Sequence, residues 1–365
     1  MRPGRAMLTM LAALAATATA ARADDPDPVT GERWLRGSTH VHAKPSGDSR
    51  TPVDEVITWY EEAGYDFIVL SDHNRVSEIA PARSTAGRPA VLDSPARLLV
   101  IAGTELTFNP DACLPSPPES GKRCRIHATV IAATARPAGR LEWADRQTDQ
   151  RELQYARALT TAAELGGVAQ VNHPLWHWGL SSEVLARLAG RGLRLVEIAN
   201  VQFDSWNAGK PGQPSMLAVW DGALRLGARV WGVASDDAHH HDEDGRGQYP
   251  AGGGWVVVRA RRDAGAIRDA LLAGRFYAST GVALTRVEVV DGQLAIDVAD
   301  EPGTHVTRLI VDGAVVARVA GRQIRFPLPS AGYVRAEVVR DDGARAFTQP
   351  VWAAAGAPRG AAQGP

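Results

Sequence analysis

Between residues 34 and 275 short apolar runs alternate with helix-like stretches, and nearly every run ends in side chains able to bind a metal. The runs are WLRGSTHVHA, YDFIVLSDHN, RLLVIAGTEL, IHATVIAA, GGVAQVNHP, LRLVEIAN and RVWGVASDDAH. Strand alternating with helix implies a parallel sheet covered by helices. About seven such units point to a closed or nearly closed α/β barrel. One helix is expected to open at Thr51-Pro52-Val53-Asp54, with a capping residue, Pro in the first turn and an early acid. Val53, Val56, Ile57 and Tyr60 then share a face, and Gly64 stops it. Further helices are expected near 150–165, 181–190, 214–227 and 263–273.

Nine of the ten His lie between residues 40 and 241. In a parallel barrel all strand C-termini meet on one face, where active sites are built. His40 and His42, His73, Glu105, His173, Glu197 with Asn200, and Asp237 with His239 all close their runs there; His127 alone starts its run. Residues i and i+2 of a strand point the same way, so His40 and His42 can chelate one ion, as can Asp237 and His239. The same alternation turns Asp236 away from Asp237 and Asp72 away from His73, leaving both to support their neighbours. A lone HxH, or His173 before Pro, is weak by itself. Burying the whole set without a cation is costly, and that conjunction makes the metal reading. Nitrogen and oxygen donors without sulfur suit zinc, manganese or iron.

The remaining chain bounds the setting. Arg2 and Arg5, an apolar stretch over 7–20 and Ala21-Arg22-Ala23 have the form of a signal peptide over 1–23, which predicts a periplasmic or secreted protein. No segment is apolar enough to insert in a membrane. A formal net charge of -1 excludes a dedicated nucleic-acid binder. The only two cysteines, Cys113 and Cys124, flank an irregular loop and are expected to form a disulfide in an oxidising compartment. After Tyr277 short alternating runs with Gly or Asp turns predict a small C-terminal antiparallel β-sandwich without helix, packed on the barrel. The division expected is 24–280, 281–352 and a disordered tail over 353–365. The polar loop of His240, His241, Asp242, Glu243 and Asp244 is expected to face solvent.

These residues resemble the PHP family, named for polymerase and histidinol phosphatase domains. The matching signature is His40-Val41-His42, Asp48, Asp72-His73, Glu105, His127, His173 and Asp237-Ala238-His239, in order over roughly 34–277. GSTHVHAKPSGDS, YDFIVLSDHN and GRFYASTGV are most similar to its carbaryl-hydrolase-like branch. The resemblance implies a distorted seven-stranded TIM-like (β/α)7 barrel with two to three divalent ions. It assigns His40, His42, Glu105 and Asp237 to one ion. Glu105, with His127 and His173, holds a second, and Asp48, His73 and His239 a third; many relatives carry His at the Asp48 position.

Clustered ions activate water for phosphoester hydrolysis without a Ser or Cys nucleophile. Glu105 and Asp237 are the expected catalytic ligands, and His177 is a candidate proton donor with a supporting or surface role as its alternative. Lys44, Arg75 and Lys210 are candidates for an anionic small-molecule ester, though each could be a solvated charge. Trp176 and Trp178 could line an apolar pocket or simply pack, and Trp206 invites the same comment. Two other functions stay open: hydrolysis of a carboxylic or aryl carbamate ester, which the branch resemblance favours, and a non-catalytic metal-bearing binding protein. Nothing in the sequence sets the oligomeric state.

Overall fold

The computed structural model describes residues 26–77, 98–117, 121–241 and 251–353. The expected leader, the acids Asp242 to Asp244 and nearly all of the tail lie outside them. Strands β1 (Arg33–Val41), β2 (Phe67–Leu70), β3 (Leu99–Phe108), β4 (Ile126–Ile131), β5 (Val168–Val171), β6 (Leu195–Asn200) and β7 (Trp231–Ser235) are hydrogen-bonded in that order. The sheet is mostly parallel here, but β4 runs against both β3 and β5. An uninterrupted parallel order was expected. The departure has a local cause: among its described residues the connection from β3 to β4 contains no helix, so the chain doubles back instead of crossing over. At the two ends of this path Val41 bridges Ala238, and the His42 N–H donates to the Ala238 carbonyl at 2.9 Å.

The helices are α1 (Val53–Glu62), α2 (Arg151–Glu164), α3 (Ser182–Gly190), α4 (Asp204–Asn207), α5 (Met216–Arg225) and α6 (Ala264–Leu272). Side chains of Ser181, Ser215 and Asp263 accept from the first-turn N–H groups of α3, α5 and α6. α1 starts one residue later than expected, because Pro52 is extended (ψ 150) and stands at the cap. Leu185, Leu188, Trp220 and Val196 bury the helices on the outer face of the sheet. Phe67, Val69, Ile101, Leu195 and Val233 fill the other face. None of the described helices is long and apolar enough to cross a membrane.

β8 (Trp255–Ala260) and β9 (Phe276–Ser279) extend the sheet antiparallel beyond β1. Then come β10 (Leu284–Val290), β11 (Gln293–Val298), β12 (His305–Val311), β13 (Ala314–Ala320), β14 (Gln323–Pro327), β15 (Tyr333–Arg340), β16 (Arg345–Thr348) and β17 (Val351–Trp352). β10, β11 and β14 form a separate antiparallel sheet. It packs through Leu294, Ile296 and Ile324 against Leu309, Val334 and Val338 of the other layer. That other layer does more than rest on the first unit: β16 pairs with β9, so one continuous sheet runs through both. Across the same seam Arg335 grips the Asp221 carboxylate with two N–H groups at 2.7 and 2.5 Å, and the Tyr333 hydroxyl donates to it at 2.7 Å. Gln349 exchanges two 2.8 Å hydrogen bonds with the Gly232 backbone.

Candidate metal centre

All nine expected ligands converge. His42, Asp48, His73 and His239 form one group, His40, His42 and Asp237 a second, and Glu105, His127 and His173 a third, each with ligand atoms within 4.8 Å of one another. The reversal of β4 explains why His127 could start its run and still reach the mouth where the other strands end. Glu105 is the hub. Its Oε1 lies 3.3 Å from His40 Nε2, 3.1 Å from His127 Nδ1 and 3.3 Å from His173 Nε2, while Oε2 lies 2.8 Å from His73 Nδ1 and 3.7 Å from His42 Nε2. Asp237 Oδ1 is 3.1 Å from Nε2 of both His40 and His42. Asp48 reaches His73 at 2.9 Å and His239 at 3.4 Å. His42 thus belongs to two groups, its ring stacked 4.1 Å from His239.

The donor set fits divalent cations. His42 Nε2 and Asp237 Oδ1 are buried 3.1 Å apart, yet neither makes a well-aligned hydrogen bond. Leaving such atoms unsatisfied is costly, and a shared cation satisfies both. Burial and the neighbouring His239 push His42 down to about 3, and burial lowers His127 to about 4 against the pull of Glu105. Both rings are therefore held neutral, the form a metal requires. Burial works against charge on His73 as well, but Glu105 and Asp48 win and raise it to about 10, so a cation bound there would have to displace a proton.

Neighbouring polar groups fix the ligand orientations. Glu197 Oε1 lies 2.7 Å from His40 Nδ1, which turns Nε2 toward Glu105 and Asp237. The same carboxylate accepts from the His173 N–H at 2.6 Å, Asn200 Nδ2 at 2.9 Å and Ser235 Oγ at 2.6 Å. Asn172 Nδ2 donates to Glu105 Oε1 at 2.8 Å, and Ser46 Oγ lies 2.9 Å from His42 Nδ1. Asp72 and Asp236 lie where alternation puts them, bracing backbone. Asp72 accepts from the Ala43 N–H and Ser77 Oγ, Asp236 from the Gly252 N–H and Ser38 Oγ, and burial raises the two to about 6 and about 7. Glu197, expected at this face as the acid that closes LVEIAN, is here and supports His40 rather than joining the ligand groups. Asn74, His173, His177, Trp178 and Asp237 hold positive φ between 24 and 55° around the cluster, strain of the kind functional sites retain.

Compared with known proteins, the chain matches no family model and no curated sequence.

The expected substrate groups are scattered. Trp176 stands edge-on to His127 and His173, with ring centres 5.7 and 5.3 Å away, and Phe203, which the sequence did not single out, lies 4.5 Å from His173. His177 stacks on Trp176 and meets Trp206 edge-on, one aromatic layer outside the imidazoles. Lys210 lies over the Trp178 ring at 4.2 Å. Lys44 and Arg75 are exposed. The cation beside the cluster is instead Arg125, 4.5 Å above the Trp176 ring. Cys113 and Cys124 are bonded, and Cys124 immediately precedes Arg125. One expectation about the surface is corrected: His241 is buried against Trp59 and Tyr60, because the chain after β7 folds back over α1.

Proposed function

We propose that the protein is a metal-dependent hydrolase of phosphoesters, working with two to three zinc, manganese or iron ions. The observation that carries this reading is Glu105, a single buried carboxylate within 3.7 Å of five imidazoles. His40, His42 and Asp237 would hold one ion with Glu105, and His127 and His173 a second with Glu105. Asp48, His73 and His239 would hold a third. Bound divalent ions supply an acidified water and a clamp on the attacking and leaving oxygens of an in-line displacement. Glu197 and Asn172 keep His40 and Glu105 aimed, and Trp176 and Phe203 wall the His173 side against water. His177, packed between Trp176 and Trp206 one layer outside the imidazoles, takes the supporting role rather than that of proton donor. The Val41–Ala238 bridge supports a distorted seven-stranded β/α barrel like that of the PHP family. The Cys113–Cys124 bond supports an oxidising compartment and hence export.

A second reading, hydrolysis of an aryl carbamate or carboxylic ester, is favoured by the aromatic pair Trp176 and Phe203 beside His173. Elemental analysis of wild type and Glu105→Ala tests the centre, with turnover of p-nitrophenyl phosphate mono- and diesters measured beside an aryl carbamate. Bound divalent metal in the wild type, its depletion in the variant and loss of turnover by orders of magnitude are expected. A metal-free, inactive wild type would overturn the proposal, and turnover of the carbamate alone would select the second reading.

A further inference from the structure

Arg125 occupies a position that neither the ligand set nor the core accounts for. It stands two residues before His127, just ahead of β4, and both side chains meet the same Trp176 ring. Its backbone is held from both directions. Cys124 ties it to the disulfide, and its carbonyl accepts from Arg151, which is itself buried and bonded to Cys113 Sγ at 3.1 Å. The guanidinium rests on Trp176, the indole that meets His127 and His173 edge-on.

Its hydrogen-bonding capacity is largely unspent. Nε is buried without a partner. In the amide orientation that satisfies its neighbours, Asn109 donates to His127 Nε2 and accepts from one Arg125 Nη at 3.3 Å. Arg123, two residues earlier, pairs with Asp111 at 2.9 Å, whereas Arg125 has no carboxylate partner among the described residues. A half-buried guanidinium held by stacking and by one amide oxygen, with its other donors unpaired among the described residues, is suited to a two-oxygen anion.

We propose that Arg125 binds the non-bridging oxygens of a phosphoryl group presented to the Glu105–His127–His173 group, which makes the preferred substrates anionic phosphoesters. This deepens the hydrolase reading and rests on it. Lys44, Arg75 and Lys210, the cations singled out in the sequence, then lie outside the recognition site.

The test uses the full-length, metal-loaded chain and inorganic phosphate, followed by calorimetry and by tryptophan fluorescence, since Trp176 reports on the site. Arg125→Gln should weaken phosphate binding about 10- to 100-fold, the scale of a lost charge-assisted hydrogen-bond pair. Arg125→Lys, which keeps the charge but not the planar fork, should recover part of that loss. KM for p-nitrophenyl phosphate should rise in Arg125→Gln at unchanged metal content. Phosphate affinity unaltered by the substitution overturns the proposal, as does a wild type that binds no phosphate. Loss of metal together with affinity also overturns it, since that would assign Arg125 to support of His127. If the wild type binds phosphate through Arg125 but hydrolyses no phosphoester, the anion site stands and the reaction proposed above fails.

Discussion

Glu197→Gln changes one oxygen to an amide and leaves volume almost untouched, so it isolates what the carboxylate charge does. In the native site Oε1 faces His40 Nδ1 and Ser235 Oγ, and Oε2 faces the His173 N–H and Asn200 Nδ2. A carboxylate only accepts, so it holds a His40 proton on Nδ1 and leaves Nε2, which faces Glu105 and Asp237, as the nitrogen a metal would take. The glutamine amide has two placements. On the Oε2 side it meets two fixed N–H donors, which is untenable. On the Oε1 side Ser235 can rotate to accept, but the amide then donates to His40 Nδ1 and drives the proton onto Nε2, the atom a metal would need. Lost supporting bonds to metal-binding histidines typically lower affinity or activity 10- to 100-fold, about 1.4–2.7 kcal/mol. Competition against a chromogenic chelator measures this directly, with the thermal midpoint of the chelator-stripped protein as a control for folding. Native metal affinity in Glu197→Gln would refute the argument that Glu197 sets the His40 tautomer.

Asp221→Ala should destabilise the protein by about 3–5 kcal/mol, because it strands the buried Arg335 charge and removes the Tyr333 acceptor. Urea unfolding followed by circular dichroism checks this, and Asp221→Ala/Arg335→Met should recover much of the loss. Replacing Cys113 and Cys124 by Ala should lower stability by roughly 3 kcal/mol for so short a loop. The same change should weaken metal binding at His127, three residues past Cys124, and metal titration of the double variant reads that effect.

The site was legible because ligand chemistry was written at strand ends, where period-2 spacing fixes facing from sequence alone. His40 with His42 and Asp237 beside His239 needed no tertiary information, and neither did the turning away of Asp72 and Asp236. The direction of β4 was not legible, since alternation gives the side a residue faces but not which way its strand runs. The clue was His127 starting its run after an irregular Pro- and Ser-rich loop. Arg125 was missed, and Glu197 was placed at the site without its task, for a related reason: their partners lie on other strands and loops, 157 residues away for the Glu197–His40 contact. His241 reads as part of a polar loop, and only the packing of α1 beneath it makes it a core residue.

The pairing of Arg345–Thr348 with Phe276–Ser279 gives the C-terminal strands a job that the word appendage conceals. Trimmed after residue 281, the chain would present a raw row of backbone donors and acceptors, an invitation to intermolecular strand addition. It would also lose the Gln349 side chain that buttons Gly232, five residues upstream of Asp237. Whoever redesigns this protein should treat its last strands as a hem stitched to the main cloth and graft new segments into turns such as Asp291-Gly292, leaving the seam uncut.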